Sequence, residues 1–417
     1  MDLIPRHIRP QIVEALGDSR VVCLLGARQA GKSTLIKSIA SEEHPARYLT
    51  LDDPTTLALA REDPVGFLAN AERLAIDEIQ RAPDLLLAIK RIVDEEPAPG
   101  RFLLTGSANI ITHPRVADAL PGRVDYLTLW PLSQEELARR RSTFLEDAFA
   151  GRTPGGGTPP VGRVGYADRI VKGGFPASVR AGASRRTRFF DGYVGSILGR
   201  EVDELASVRD SEAAARVLRL AAARTAALTN LSAIARELGI DHKTVGSRLR
   251  SLEQLFIVLR LPAWHVNLGH RVARTPKLHI ADTGLLCSLI GADAQRLVED
   301  GELAGAVFET FAVTEIVRQT SIGDQWPRPR AHHYRDQAGN EVDLVVERAG
   351  GEVVGIEVKA SANPRPRDAS GLRLLRDKLG DRFKGGLLLH LGSDSIPIGE
   401  RISAVPLATV WESASAR

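Results

Sequence analysis

Cysteine is scarce in this chain of 417 residues: Cys23 and Cys287 lie far apart, each inside an apolar stretch. They match neither a disulfide framework nor a zinc knuckle, and a reducing compartment is the simplest setting. Long apolar runs are also missing. None approaches the roughly 20 residues needed to cross a bilayer, and the opening MDLIPRHIRPQIVEALG has no apolar core of signal-peptide length. The expectation is a soluble, cytoplasmic protein without a membrane partner. Charge of one sign is nearly absent as an excess, with a net +3 and a pI near 8.9, which permits contact with nucleic acid without demanding it. Lysine makes up nine of the 55 basic residues. The arginine surplus is spread over the whole chain, so it reads as coding bias rather than as a phosphate-seeking patch.

What is present is a chain long enough for about two to three domains. Short β-compatible runs at 21–25, 48–51, 74–76 and 102–104 alternate with helix-compatible segments, and a further run, VDYLTLWPLS, follows. That alternation predicts a parallel sheet flanked by helices. Ser133 to Glu136 (SQEE) reads as a capping box opening another helix. The glycine- and proline-rich stretch from Gly151 to Gly165 reads as a loop inserted near the end of the first domain. From Arg185 to Leu261 the pattern is helical, and from about Ala331 it turns to strand pairs with glycine turns at Gly339, Gly350 and Gly351.

The chemistry begins at Gly26-Ala27-Arg28-Gln29-Ala30-Gly31-Lys32-Ser33, followed by Thr34, which fits G-x-x-x-x-G-K-[ST] between a β-type run and a helical one. In such a loop, glycines turn backbone N–H groups around phosphate oxygens and the next helix points its positive end at them. Lys32 is placed to reach the β- and γ-phosphates and Ser33 to ligate Mg²⁺. RLAIDEIQR then supplies Asp77 for the metal or its water and Glu78 as general base for the attacking water. RFLLTGSAN ends in polar groups, of which Ser107 is the candidate γ-phosphate sensor, with Thr105 and Asn109 as neighbours. A plain strand-end turn explains that segment equally well. Arg123 is a candidate for stabilising transition-state charge, in cis or from a neighbouring subunit, against the alternative of a surface arginine after a Pro-Gly turn.

Together, GARQAGKST, YLTLDDP, AIDEIQRAPDLL, FLLTGSAN, LPGRVDYLTLWPLS and GGFP at Gly173 to Pro176 resemble a family of prokaryotic AAA-type ATPases with a carboxy-terminal domain of undefined function. The resemblance runs over nearly the entire chain. It implies an ATP-binding core with Lys32, Ser33, Asp77 and Glu78 at matching positions, and it implies ATP rather than GTP, since no guanine-reading Asn-Lys-x-Asp stretch occurs.

The segment from Asn230 resembles a winged helix-turn-helix. Leu231, Ile234, Ala235 and Leu238 line one helical face, Gly239 allows the turn, Asp241 caps, and Val245, Leu249 and Leu252 face inward. Lys243, Thr244, Ser247, Arg248 and Ser251 are then expected outward, where a recognition helix would read a major groove. Two cations are modest for a DNA binder, and winged helices also contact proteins. Further on, Asp343 and the Glu357-x-Lys359 series sit on successive strand-like runs, with Glu309 on an earlier helix. This set resembles the restriction-endonuclease-like superfamily, with Asp343 and Glu357 as candidate ligands of a second metal and Glu309 and Lys359 beside them. An ordinary cross-strand ion pair is the alternative.

The fold expected is α/β: a P-loop NTPase sheet over 1–180, a winged-helix-like helical domain over 181–275 and a restriction-endonuclease-like α/β domain over 276–417. The function expected is a Mg²⁺-dependent ATPase acting as a switch coupled to DNA or a protein partner, in an assembly that allows an oligomer. The alternatives are an ATP-gated metal-dependent nuclease and a non-catalytic nucleotide-binding regulator.

Overall fold

The early apolar runs become strands because parallel strands covered on both faces need apolar residues at consecutive positions. In the computed structural model they are β1 (Val21–Leu25), β2 (Arg47–Thr50), β3 (Leu74–Asp77), β4 (Phe102–Gly106) and β5 (Val124–Thr128), all parallel, in the order β2-β3-β4-β1-β5. The structure describes residues 3–69, 72–106, 122–155, 160–198, 211–267, 269, 271, 274–322 and 327–413. The three inner strands are buried throughout, while β2 and β5 at the edges are partly open. Successive side chains point to opposite faces. Val21, Cys23, Leu25, Ile76 and Leu104 therefore pack with Leu85, Ile89 and Val93 of helix α5 (Leu85–Glu95). Val22, Leu24, Ala75 and Leu103 pack with Ile12 of α1 (Arg9–Asp18) and Leu35, Ile36 and Ile39 of α2 (Lys32–Glu42). The numbering α3 (Pro54–Glu62) and α4 (Pro64–Ala69) covers the remaining helices before β3.

This sheet belongs to one compact unit, Met1–Pro131 with Gln254–Phe256; the second comprises Leu132–Glu253 and Ile257–Arg417. The sequence reading sets its first boundary at 180, whereas the compact units part at Pro131 and Leu132. The SQEE segment forms the expected capping box: Ser133 Oγ accepts from Glu136 N at 3.2 Å and Glu136 Oε2 from Ser133 N at 3.0 Å. The expected loop from Gly151 to Gly165 is shorter than the composition suggests, because a helix over Gly162–Lys172 already begins within it and buries Tyr166, Ala167 and Ile170; residues 156–159 lie outside the described ones.

The second unit contains helices Ser211–Ala223, Leu231–Leu238 and His242–Gln254 and a small antiparallel sheet, β6 (Ala227–Leu228), β8 (Lys277–Ile280) and β7 (Val258–Leu261) in that order. Asn230 caps Leu231–Leu238 by accepting from Ala233 N at 2.9 Å, and Gly239 ends it. Val245, Leu249 and Leu252 are buried as expected, but Arg248 and Ser251 are not outward: they are 3% and 4% exposed. At 3.6 residues per turn Arg248 lies beside Val245 and Leu252 on one arc, and the arc buried here is wider than the apolar positions alone predict. Lys243 and Arg250 are the exposed cations of this helix.

A six-stranded mixed sheet completes this unit: β9 (Arg330–Arg335), β10 (Glu341–Glu347), β11 (Val353–Val358), β12 (Phe383–His390), β13 (Ile396–Gly399) and β14 (Ile402–Pro406), ordered β13-β14-β12-β11-β10-β9. The glycine turns produce the two expected hairpins, β9–β10 and β10–β11. Helix Ser370–Leu379 supplies the crossover that the parallel pair β11–β12 requires. Elsewhere in the unit Asp282, 2% exposed, caps helix Thr283–Ile290 through Leu285 N at 2.9 Å and accepts from Gly174 N of the GGFP stretch at 2.7 Å. Arg318 donates to Leu132 O at 3.3 Å and Ala281 O at 3.1 Å and pairs with Glu315, whose Oε2 accepts from Gln134 N at 2.7 Å.

Candidate functional site

The segment joining β1 to α2 is held in shape by backbone geometry that other residues resist. Gly26 has φ +151°, and a Cβ there would stand 2.1 Å from Leu129 O; Gly31, at the head of α2, has φ +102°. Gln29 at the tip also takes a positive φ of 60°, a strained conformation for a residue with a Cβ. Lys32 is 4% exposed, and its ammonium donates to Gly26 O at 2.9 Å and Ala27 O at 3.0 Å. Ala27 and Ala30 are buried, Arg28 and Ser33 are half-buried, and Gln29 and Thr34 are exposed. Arg6, which the sequence reading did not single out, donates to Ala30 O at 2.8 Å and Trp130 O at 2.6 Å and so ties the loop to the chain after β5.

Because the strands are parallel, β1, β3 and β4 all end at the same edge, and β4 lies between the other two. Asp77 closes β3 at 3% exposure, accepting from Tyr48 Oη at 3.0 Å on one oxygen and from the Thr105 hydroxyl on the other. Thr105 Oγ1 in turn accepts from Glu78 N at 3.1 Å. Glu78 sits at φ +61° and accepts from the Gln80 side-chain amide. Thr105, on the intervening strand, thus links both acids. Burial and the charge of Asp77 push the Tyr48 phenol above its usual pKa. The Cys23 thiol, inert inside β1, is pushed up to about 12 by burial. Ser107 and Asn109 lie outside the described residues.

Arg123 is not brought to this loop. It immediately precedes β5, whose Val124 pairs with Val21 at the beginning of β1, so it stands at the amino end of the sheet. A five-residue strand puts it roughly 16 Å from the loop end. Its guanidinium grips Asp94 at 2.5 and 3.0 Å. Arg123 therefore enters β5 at the edge opposite the loop between β1 and α2.

In the second unit, Glu309 on helix Gly301–Ile322, Asp343 on β10, and Glu357 and Lys359 at the end of β11 come together. Asp343 and Glu357 are 7% and 8% exposed. Lys359 Nζ donates to Glu357 Oε1 at 2.7 Å, and Asp343 Oδ2 accepts from Val358 N at 2.9 Å. Burial first, then the neighbouring Asp343 charge, raises Glu309 well above the usual carboxylate range and Glu357 to about 8. A cleft of about 490 Å³ opens beside them, lined by Glu309, Asp343, Lys359, Ser361, Asn363 and Arg365 among others. Lys277 at the start of β8 also enters this cluster, and no motif pointed to it. Its one signal is a lysine, a rare residue in this chain, opening the β-compatible run KLHIA.

Residues 18–138 match the family described as AAA domain. Most of that match falls within the first unit. Residues 163–296 and 304–410 match two families described as Domain of unknown function (DUF8612) and Domain of unknown function (DUF4143). Over 405 residues the chain is 28% identical to Uncharacterized protein Rv2008c of Mycobacterium tuberculosis and equally to Uncharacterized protein Mb2031c of Mycobacterium bovis, covering 96% of this chain and 83% of each relative. Among solved structures, a Thermotoga maritima RuvB Holliday junction branch migration motor aligns at 21% identity with a TM-score of 0.28, over 61% of this chain and 89% of that one. A Pyrococcus horikoshii signal transduction ATPase, PH0952, aligns at 12% identity with a TM-score of 0.26, over 77% and 48%. At these TM-scores neither alignment carries weight for this chain.

The loop between β1 and α2, within the residues that match the AAA family, has a shape that suits a polyphosphate. Its cradle has no room for a Cβ at Gly26, α2 offers backbone N–H groups at its head, and the Lys32 ammonium rests on carbonyls of the same loop. Ser33 supplies a hydroxyl and Asp77 a carboxylate, the oxygen donors that Mg²⁺ takes. Among the described residues no helix is long and apolar enough to cross a membrane.

Proposed function

We propose that the AAA domain binds and hydrolyses ATP. The observation that carries this reading is the shared edge of three parallel strands: the glycine-shaped loop follows β1, the acidic residues Asp77 and Glu78 end β3, and Thr105 on β4 bridges them. Loop amides and Lys32 would neutralise and orient the phosphates. Ser33 and Asp77 would hold Mg²⁺, which supplies charge neutralisation of the polyphosphate when bound. Glu78 is the general base for water. Its left-handed backbone, an unfavourable state for a glutamate, is the kind of local strain retained where geometry serves a reaction.

Lys32→Ala is expected to lose binding of a fluorescent ATP analogue, whereas Glu78→Gln should retain binding and lose turnover by roughly 10²- to 10⁴-fold, the usual contribution of a general base. Unchanged nucleotide affinity in Lys32→Ala overturns the proposal. Unchanged turnover in Glu78→Gln removes Glu78 from its role and leaves the binding assignment standing.

The energy released is proposed to drive a switch whose partner is a protein or nucleic acid. Burial of Arg248 leaves Lys243 and Arg250 exposed on the helix expected to read DNA, and two phosphate-neutralising groups give weak binding at physiological salt. A protein partner is the reading we favour for that helix.

A further inference from the structure

The C-terminal carboxylates would suit a hard divalent cation in composition, but an amino group already stands among them. Lys277 Nζ lies 2.7 Å from Glu309 Oε1 and 3.3 Å from Asp343 Oδ1, and it pairs as well with Glu341. Its side chain is 3% exposed. A buried ammonium is costly unless several acceptors surround it, and here helix Gly301–Ile322 and β10 supply them. Mg²⁺ or Mn²⁺ needs oxygen ligands at roughly 2.0–2.2 Å, which requires the same carboxylate oxygens that Lys277 engages. Asp343 Oδ2 accepts from Val358 N and Glu357 Oε1 accepts from Lys359, which leaves the buried Glu357 Oε2 as an oxygen of the cluster without a hydrogen-bond partner. Among the described residues, no group of three or more His, Cys, Asp or Glu side chains is disposed to hold a metal ion.

We infer that Lys277 is the resident cation of this cluster, occupying the position a divalent metal would take, so that the second unit holds a metal-free ion lock joining β8 to β10 and the long helix rather than a phosphodiester-cleaving centre. The inference is independent of the ATPase reading, since it concerns other residues. It also makes a positive claim: the carboxylates as they stand form no metal-holding group, and removing the ammonium, whose charge they surround, lets them close on a divalent cation instead.

The test is Mn²⁺ titration of nucleotide-free full-length protein, followed by electron paramagnetic resonance, for wild type, Asp343→Asn, Lys277→Met and the Lys277→Met/Asp343→Asn double variant. Wild type and Asp343→Asn should bind Mn²⁺ indistinguishably, any ion near Ser33 being common to both. Lys277→Met should gain one ion at least tenfold tighter, lost again in the double variant. Wild-type binding that Asp343→Asn abolishes overturns the inference, as does a folded Lys277→Met, checked by circular dichroism, that gains no ion. If Lys277→Met does not fold, wild type against Asp343→Asn and Glu309→Gln decides the matter: equal binding by all three upholds it, and loss in either variant overturns it.

Discussion

Thr105 shows how much a single hydroxyl organises at the proposed nucleotide site: it donates to Asp77, accepts from Glu78 N and is fully buried. Thr105→Val keeps the shape and removes both bonds, leaving the Glu78 N–H unsatisfied. A buried group stranded in this way costs about 1–3 kcal/mol. Urea unfolding should register that loss, and ATP turnover should fall further than ATP affinity, because the two acids lose their common tether while the phosphate loop is untouched. Lys32, Ser33, Asp77 and Glu78 were legible in the sequence because the loop is local and its spacing is set by backbone geometry. The residue that connects them was named only as a neighbour of Ser107, since the contact from β4 to β3 is made across strands and leaves no local signature. Arg6 and Tyr48 were invisible because their contacts, too, come from distant parts of the chain.

Among the elements, helices and hairpins followed their sequence signals closely, and their buried arcs did not. Binary pattern located the helix His242–Gln254 but not the burial of Arg248 and Ser251, which depends on what covers the helix. The GGFP stretch looked like a family signature; in the fold it is a backbone wedge whose Gly174 N–H is received by Asp282, which also caps the next helix. Asp282→Ala strands both donors in a buried place. The expected loss is on the order of 3 kcal/mol, measured by chemical denaturation, and Asp282→Asn, which keeps an acceptor oxygen, should lose less.

At the scale of the whole molecule, the second unit buries acids whose pKa values burial raises, and each of them adds a pH-dependent contribution to stability. Glu315, opposed by Arg318 but desolvated, is raised from 4.5 to about 7. A folded-state value above the unfolded one means that the native chain keeps its proton while the unfolded chain has lost it. Stability contributed by this group is therefore full below about pH 4.5 and is lost as pH rises toward 7. The slope is about 1.4 kcal/mol per pH unit for one such group. Glu357, raised to about 8, acts in the same direction. Buried His279 and His333, lowered to about 3 and about 4, act the other way below pH 6.5, so the share of Glu315 is read by difference: in urea unfolding, the stability of wild type relative to Glu315→Gln should fall as pH rises from 5 to 7.

Sequence by itself determined the early parallel strands, the glycine-shaped turn between β1 and α2, and the absence of long apolar runs, because each follows from short-range periodicity, backbone sterics or composition. Tertiary structure alone decided that Arg123 stands at the far end of its sheet, that Arg248 is interior, and that Lys277 enters the C-terminal carboxylates. Those outcomes turn on strand order and on which distant segment covers a surface, and the electrostatic cost of a buried charge is fixed only when its partners arrive.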